Sequence, residues 1–490
     1  MKRKTIVTTV LTLGLIVVTG AALVNAQGGD GVTFNTSWAF QNLGSDDANV
    51  HIDLYGTDGL NKAQDDITVD KSAAFWAPSY SPLDPVGTFN GGIVASSSEP
   101  LAATVNQVAQ NTTSGRTGNA TYGGFNDESV APTMYAPVMM KGYSGLFWTE
   151  LSIQSTATSG DVQVDVHYYG ASGAEVTGSP RTYTVHAGSP TRVAQADESI
   201  LTSNWIGSAK IVAQDGTTKL AVVVNEFDGR TNHMYDQFYS YEGFAAGAER
   251  VVVPNVFING YGGSFNASAS VQNLGDIPAQ VTWKLYDTTP GNPNPNTVCH
   301  QFSEQIDVGK SVYFPFEPYA TTLKNCYNSG DNEWIGTLIL ESTNGQDLVA
   351  VVNQLNGTYH GASFRGLTEG STELYFPMAY VKAYGFANTS YAIVDMSGTS
   401  GTVNVTVDYI ADKVGCPGCS NWSTTYSFSN NDNQYQPSHL PSTVLSGGSY
   451  IGSIKITVNT AGKTINGVMN ELMGGNKQDN FTSFNGSLAP

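Results

Sequence analysis

The 490 residues carry 22 Lys and Arg against 41 Asp and Glu, a formal charge of −19. That surplus repels phosphate backbones and anionic lipid, which argues against nucleic acid or a membrane surface as partner. Only 13% of residues are charged, whereas 40% are hydrophobic and 53 are Gly. This profile suits packed domains of short strands and turns, and it excludes a disordered chain.

In chain order, Lys2, Arg3 and Lys4 precede an apolar run over 5–24, which ends in the small residues of Val24-Asn25-Ala26. A basic start, an apolar middle and a small-residue end mark an export signal, so residues 1–26 are expected to be removed. The competing reading is a retained transmembrane helix, since the run is about as long as a span; only then is the membrane a partner. Removal takes away three basic groups and no acid, making the mature charge −22. The expected location is secreted, extracellular or at the cell surface.

The rest repeats itself over 27–130, 131–247, 248–372 and 373–490. Units two to four open with a proline strand: Tyr135-Ala136-Pro137-Val138, Val253-Pro254-Asn255-Val256 and Tyr375-Phe376-Pro377-Met378. Next comes Gln41-Asn42-Leu43-Gly44, matched by Gln272-Asn273-Leu274-Gly275, by Gln154 in unit two and by Val394-Asp395 in unit four. An aromatic-Ile-Gly mark follows at Trp205-Ile206-Gly207, Trp334-Ile335-Gly336 and Tyr450-Ile451-Gly452, more loosely at Phe89-Asn90-Gly91.

Each unit then has an apolar strand ending in Asn plus Gln or Glu: Asn106-Gln107, Asn225-Glu226, Asn353-Gln354 and Asn470-Glu471. The Asn-to-Asn steps are 119, 128 and 117 residues. An aromatic turn closes each unit, at Tyr122, Tyr241, Phe364 and Phe481. Units of this length exceed a propeller blade or solenoid turn and match a β-sandwich of about 100 residues. Alternation agrees: Val162, Val164 and Val166 are spaced by two, as are Val281, Trp283 and Leu285, so one face of each strand is buried.

Pro137 precedes Gln154 by 17 residues, and the same count back from Gln41 lands on Val24, inside the leader. Unit one is therefore expected to lack the proline strand after cleavage. Either that strand is a linker needed only between units, or a terminal unit has an open sheet edge that another chain fills by β-augmentation.

The proline strand, the Gln-Asn-x-Gly strand and the Val-Val-Asn-Glu strand resemble the tandem immunoglobulin-like modules of secreted and cell-surface bacterial proteins. The resemblance covers about residues 30–490 and implies an all-β chain of four antiparallel β-sandwich modules. Its functional implication is surface architecture or adhesion, with other surface proteins, glycans or further copies of the chain as partners. Its marks are framework positions and carry no catalytic residues.

No metalloprotease, nucleophile-elbow or phosphate-loop motif is present, and the seven histidines lack ligand-like spacing. The expectation is therefore no enzyme, no cofactor and no metal. The acidic turns Asp46-Asp47, Asp65-Asp66 and Asp432 lack EF-hand spacing, and calcium between modules is the alternative to solvated turns. Asn106, Asn225, Asn353 and Asn470 are expected to bond an adjacent loop from the end of a buried strand; the Gln or Glu beside each is expected on a solvated face. Cys416 and Cys419 lie between the alternating runs 405–410 and 424–428, which makes a hairpin-loop disulfide the expectation over a redox pair at a helix N-terminus. Cys299 and Cys326 are expected to staple two loops. Trp148 points out of its strand with Glu150; if the next strand pairs beside it, His167 and Tyr169 share that face and form a platform for sugar rings. The alternatives are thus a structural or adhesive protein and a carbohydrate-binding one.

Overall fold

Alternating apolar and polar residues fold as strands with one buried face. In Asp161–Gly170, Val162, Val164, Val166 and Tyr168 are buried, while Asp161 and Gln163 are exposed. The computed structural model describes residues 14–18, 32–77, 89–229, 235–260, 265–289, 292, 295, 297–327, 333–356, 360–383, 387–429, 436–437, 440–473 and 481–489. Over these residues the chain is all-β, in antiparallel sheets, with one short helix at Ala320–Tyr327.

The first strands are β1 (Gly14–Val18), β2 (Val32–Asn42), β3 (Ala48–Gly56), β4 (Asn61–Val69), β5 (Ala74–Ala77), β6 (Gly91–Ser97), β7 (Leu101–Asn111) and β8 (Arg116–Gly123). They form the sheets β1-β6-β3-β4 and β5-β2-β7-β8. A second set comprises β9 (Thr133–Tyr143), β10 (Phe147–Ser155), β11 (Asp161–Gly170), β12 (Arg181–His186), β13 (Pro190–Ala194), β14 (Trp205–Ala213), β15 (Leu220–Asp228) and β16 (Phe238–Glu242). These make one sheet, β12-β11-β14-β9-β10-β15-β16, with β13 paired on β10.

The third set runs β17 (Arg250–Ile258), β18 (Phe265–Asn273), β19 (Ala279–Asp287), β20 (Val298–Ile306), β21 (Ser311–Pro315), β22 (Trp334–Ser342), β23 (Leu348–Asn356) and β24 (His360–Arg365). Its sheets are β17-β22-β19-β20 and β21-β18-β23-β24. The last has β25 (Glu373–Val381), β26 (Ala387–Asp395), β27 (Thr402–Ala411), β28 (Trp422–Ser429), β29 (Gln436–Pro437), β30 (Tyr450–Val458), β31 (Ile465–Met473), β32 (Phe481–Asn485) and β33 (Ser487–Leu488). Its sheets are β28-β27-β30-β25-β33 and β29-β26-β31-β32. No sheet among the described residues mixes strands of two sets.

Local chemistry explains several sequence marks. A side chain on Gly91, Gly207, Gly336 or Gly452 would strike the backbone oxygen of Tyr55, Tyr169, Tyr286 or Ile410 on the facing strand, at 1.9, 2.0, 2.3 and 2.2 Å; only glycine admits that approach. Pro137, Pro254 and Pro377 each stand where pairing register shifts in β9, β17 and β25, a bulge being where a strand tolerates a missing N–H. Asn42 accepts from Gly44 N at 2.8 Å and donates to the Asp46 and Val69 carbonyls at 2.7 and 3.1 Å. Asn273 repeats this with Gly275, Ile277 and Ile306. In the last set Asp395 takes the place of that amide, and its buried carboxylate pairs with buried Lys463 at 2.6 Å.

Four expectations need correcting. The missing first strand is not at Val24: β1 lies earlier, at residues 14–18, and pairs with β6 from Gly14↔Ser97 to Val18↔Ile93, because the connection to β2 is longer than in the other sets. The helix went unforeseen, being too short to display a period. Cys326 sits on it and Cys299 on β20, so their disulfide ties a helix to a strand and not two loops. Finally, β11 does not lie beside β10; β14 and β9 separate them. Cys416 and Cys419 are bonded in the loop between β27 and β28, as expected.

Candidate functional site

The four sets meet along their last long strands. β8 packs on β16, β16 on β24, β24 on β32, and β32 on β8, closing a cycle. The recurrent asparagines stand at this meeting. Each accepts a hydrogen bond from a hydroxyl of the neighbouring inner strand: Thr121 to Asn106 at 2.7 Å, Ser240 to Asn225 at 2.6 Å, Ser363 to Asn353 at 2.9 Å and Ser483 to Asn470 at 2.8 Å. The expected loop partner is thus replaced by a strand hydroxyl.

The residue beside each asparagine is buried, which reverses the expectation of a solvated face: Gln107, Glu226, Gln354 and Glu471 are all at most 1% exposed. The reason is that a second strand set covers the outer face of the strand. Asn353 donates to Glu226 at 2.8 Å, Asn106 to Glu471 at 3.3 Å, and Ser483 to Gln354 at 3.2 Å, each across a junction between sets. At the remaining junction Phe34 stacks edge-on against Tyr235 at 5.1 Å, and Ser114 donates to Asp236 at 2.7 Å. Burial pushes the Glu226 carboxyl up to about 8 and the Glu471 carboxyl up to about 7, against the pull of their asparagine partners. Both are therefore held mainly neutral at moderately acidic pH, where they resemble the glutamines beside the other asparagines.

Two residues further along the inner strands, the sets meet again. The Gly123 N–H donates to Glu242, and the Arg365 guanidinium lies over the Phe244 ring at 4.3 Å. Arg365 and Asn485 exchange two hydrogen bonds at 2.9 and 2.8 Å. Burial raises the Glu242 carboxyl, and Arg365 opposes it. Pairing places Tyr122, Tyr241, Phe364 and Phe484 opposite Val105, Val224, Val352 and Met469. The aromatic of the last unit is thus Phe484 and not Phe481. With that register a hydroxyl-aromatic-x-Gly pattern emerges, Thr121-Tyr122, Ser240-Tyr241, Ser363-Phe364 and Ser483-Phe484, and it would have found the hydroxyls that sequence reasoning missed.

The proposed sugar platform does not assemble. Trp148 is half-buried, paired with Phe227 and packed against the small cluster around it, and Glu150 behind it is buried against Arg192 and Tyr235. Tyr169 is half-buried next to Gly309, and His167 bonds Glu175 at 2.7 Å. A cavity of about 300 Å³ opens instead between the second and third sets, lined by Tyr143, Tyr313, Ser270, Glu304, Lys310 and Ser311 among others. Tyr143 and Tyr313 meet edge-on at 6.4 Å, and Tyr313 is 45% exposed.

Of the acidic positions expected in turns, Asp47 accepts from Lys71 N at 2.9 Å, whereas Asp65 and Asp66 lie on strand β4 and not in a turn, Asp65 accepting from Asp66 N at 2.9 Å and Asp66 pairing with His51 at 2.8 Å; Asp432 lies outside the described residues. Asp287, Cys299 and Cys326 converge within 4.8 Å, but both sulfurs are joined in the disulfide. No helix among the described residues is long and apolar enough to cross a membrane. No protein-family model matches the chain, and no curated protein sequence matches it.

Proposed function

We propose that the chain is an exported, non-enzymatic structural or adhesive protein of the cell surface, built from four immunoglobulin-like β-sandwich modules clasped into a closed ring. The boundaries 130/131, 247/248 and 372/373 fall between β8 and β9, β16 and β17, and β24 and β25. One observation carries the reading: the residues that recur, Asn106, Asn225, Asn353 and Asn470 with their hydroxyl partners, are occupied in joining strands, and Asn106 and Asn353 also bond across the junctions between modules. A protein whose recurring polar groups are used for internal cohesion is suited to presenting a rigid outer surface. Two disulfides fit an oxidising compartment. Electron microscopy of the exported protein, alone and on cells labelled with antibody, tests this: compact four-lobed particles at the cell surface support it, and extended strings or a cytoplasmic pool defeat it.

Carbohydrate binding is the second reading, favoured by the cavity between Tyr143 and Tyr313. Two tyrosine faces with a carboxylate, an ammonium and hydroxyls around them can stack and hydrogen-bond a sugar ring. A glycan array with wild type and Tyr313→Ala tests it; binding lost in the variant supports this reading, and an empty array removes it.

A further inference from the structure

In the second, third and fourth sets the edge facing β14, β22 and β30 is covered by β9, β17 and β25, which belong to the body of the chain. In the first set the corresponding edge of β6 is covered by β1, residues 14–18, which lie inside the leader. Removing residues 1–26 therefore uncovers β6 in the exported protein. The residues left ahead of β2 are Gln27-Gly28-Gly29-Asp30-Gly31. They have no apolar side chain and run straight into β2, whose partners β5 and β7 are in the other sheet, so they are poor substitutes for the apolar Leu15-Ile16-Val17-Val18.

The two edges of this sheet differ in chemistry. β4 at the far edge carries Lys62, Asp65 and Asp66, charges that guard an exposed edge against pairing. β6, Gly-Gly-Ile-Val-Ala-Ser-Ser, has no charge and no proline. Ile93 and Ala95 face the core, while Val94 and Ser96 are half-buried on the other face. A chain of charge −22 repels its copies over most of its surface, and this uncharged edge is a place where two copies can meet without opposing like charges.

We propose that, in the exported protein, β6 pairs antiparallel with β6 of a second copy about a two-fold axis, joining the sheets as β4-β3-β6-β6-β3-β4. An antiparallel pair of identical strands is self-complementary, as a closed dimer requires. The inference rests on the export reading, since the leader must leave for the edge to open.

The test expresses the full-length gene in a secreting host, reads the N-terminus of the exported product by mass spectrometry, and measures its mass by sedimentation. A product beginning at Gln27 is expected at twice the monomer mass. Val94→Lys sets two ammonium groups near each other across the axis and is expected to return it to a folded monomer whose melting temperature no longer depends on protein concentration. Should that variant misfold, a peptide of residues 12–19 added to wild type is expected to dissociate the dimer by refilling the edge. A product that begins at Gln27 and stays monomeric at high concentration overturns the inference, as does a dimer indifferent to both the peptide and Val94→Lys. A product that keeps its leader overturns the export reading and the inference with it, and the mass tells the cases apart.

Discussion

The side-chain amide of Asn353 donates at 2.8 Å to the carboxyl of Glu226, a residue 127 positions away in another strand set and fully buried. Asn106 makes the same bond to Glu471 at 3.3 Å. Two of the four junctions thus hold a carboxyl at the repeat position where Gln107 and Gln354 stand in the other sets, and burial makes the charged form of each costly.

That cost gives stability a pH dependence. Glu226 and Glu471 release their protons near the ordinary value of 4.5 when unfolded, but keep them to about 8 and about 7 when folded. Between these limits the folded state binds more protons, so stability falls as pH rises, by up to about 1.4 kcal/mol per pH unit for each group. The contribution is fully present below pH 4.5 and lost once pH passes 8. Melting temperature measured at pH 5.5 and 8.5 is expected to be clearly higher at the lower pH. Glu226→Gln with Glu471→Gln flattens that slope, because glutamine already stands at the matching places in Gln107 and Gln354. An unchanged slope in the double variant would place the titration elsewhere.

Removing the amide tests the clasp itself. Asn353→Ala removes the nearer of the two donors to Glu226 and the nearer of the two acceptors of the Ser363 hydroxyl, leaving only the longer Ser363-to-Glu226 bond at 3.4 Å. Losing a donor to a buried carboxyl costs about 1–3 kcal/mol, and the remaining Ser363 bond keeps the loss in that range, so urea unfolding is expected to shift by about 1–3 kcal/mol. Asn353→Asp is expected to lose at least as much at pH 8, where two carboxyls face each other, and less at pH 5. A loss below 0.5 kcal/mol, roughly what a surface change costs, would mean the bond is incidental.

How much of this was legible beforehand depended on which contacts are local. Asn42 and Asn273 hold their own turns through Gly44 N and Gly275 N and reach a strand end in the other sheet of the same set, so Gln-Asn-Leu-Gly read correctly as framework. The glycine after Trp334 and Tyr450 likewise answers to its facing strand. The burial of Glu226 was misread because alternation assigns one wet face to each strand, whereas β15 has all nine residues buried. Its run Leu220-Ala221-Val222-Val223-Val224 was the available signal, since a strand covered on both faces reads as continuously apolar. Which set covers the second face is decided by contacts more than a hundred residues apart, and no local pattern encodes that. The sugar platform failed for a related reason: strand order within the sheet, with β14 and β9 between β10 and β11, is not written in strand-by-strand parity.

The disulfides are expected to differ in value. Cys299–Cys326 spans 27 residues and Cys416–Cys419 only three. On chain entropy the longer loop contributes about 3–4 kcal/mol and the shorter about 2. Paired Cys→Ser variants compared by chemical unfolding should rank in that order. Equal losses would point to native-state packing, since Cys416 and Cys419 are buried in the core of their set.

The ion pair of Asp395 and Lys463 offers the sharpest contrast between removing one partner and removing both. Their side chains are 0% and 6% exposed, and Lys463 also donates to the Ser400 carbonyl at 3.3 Å and to that of Thr399. Asp395 accepts from Ser397 N at 2.8 Å, so its carboxylate holds a turn as well as the charge. Lys463→Met leaves that carboxylate buried and unpaired, a loss of about 3–5 kcal/mol. Asp395→Asn restores the residue type found at Asn42 and Asn273, which hold their turns without a cation. The double variant Asp395→Asn with Lys463→Met is therefore expected to recover most of the loss and to unfold within about 1–2 kcal/mol of wild type. Recovery would identify the pair as a charged substitute for the asparagine turn. A double variant as unstable as Lys463→Met alone would mean that the ammonium's hydrogen bonds to Thr399 and Ser400, and not the charge balance, hold this end of the fourth set.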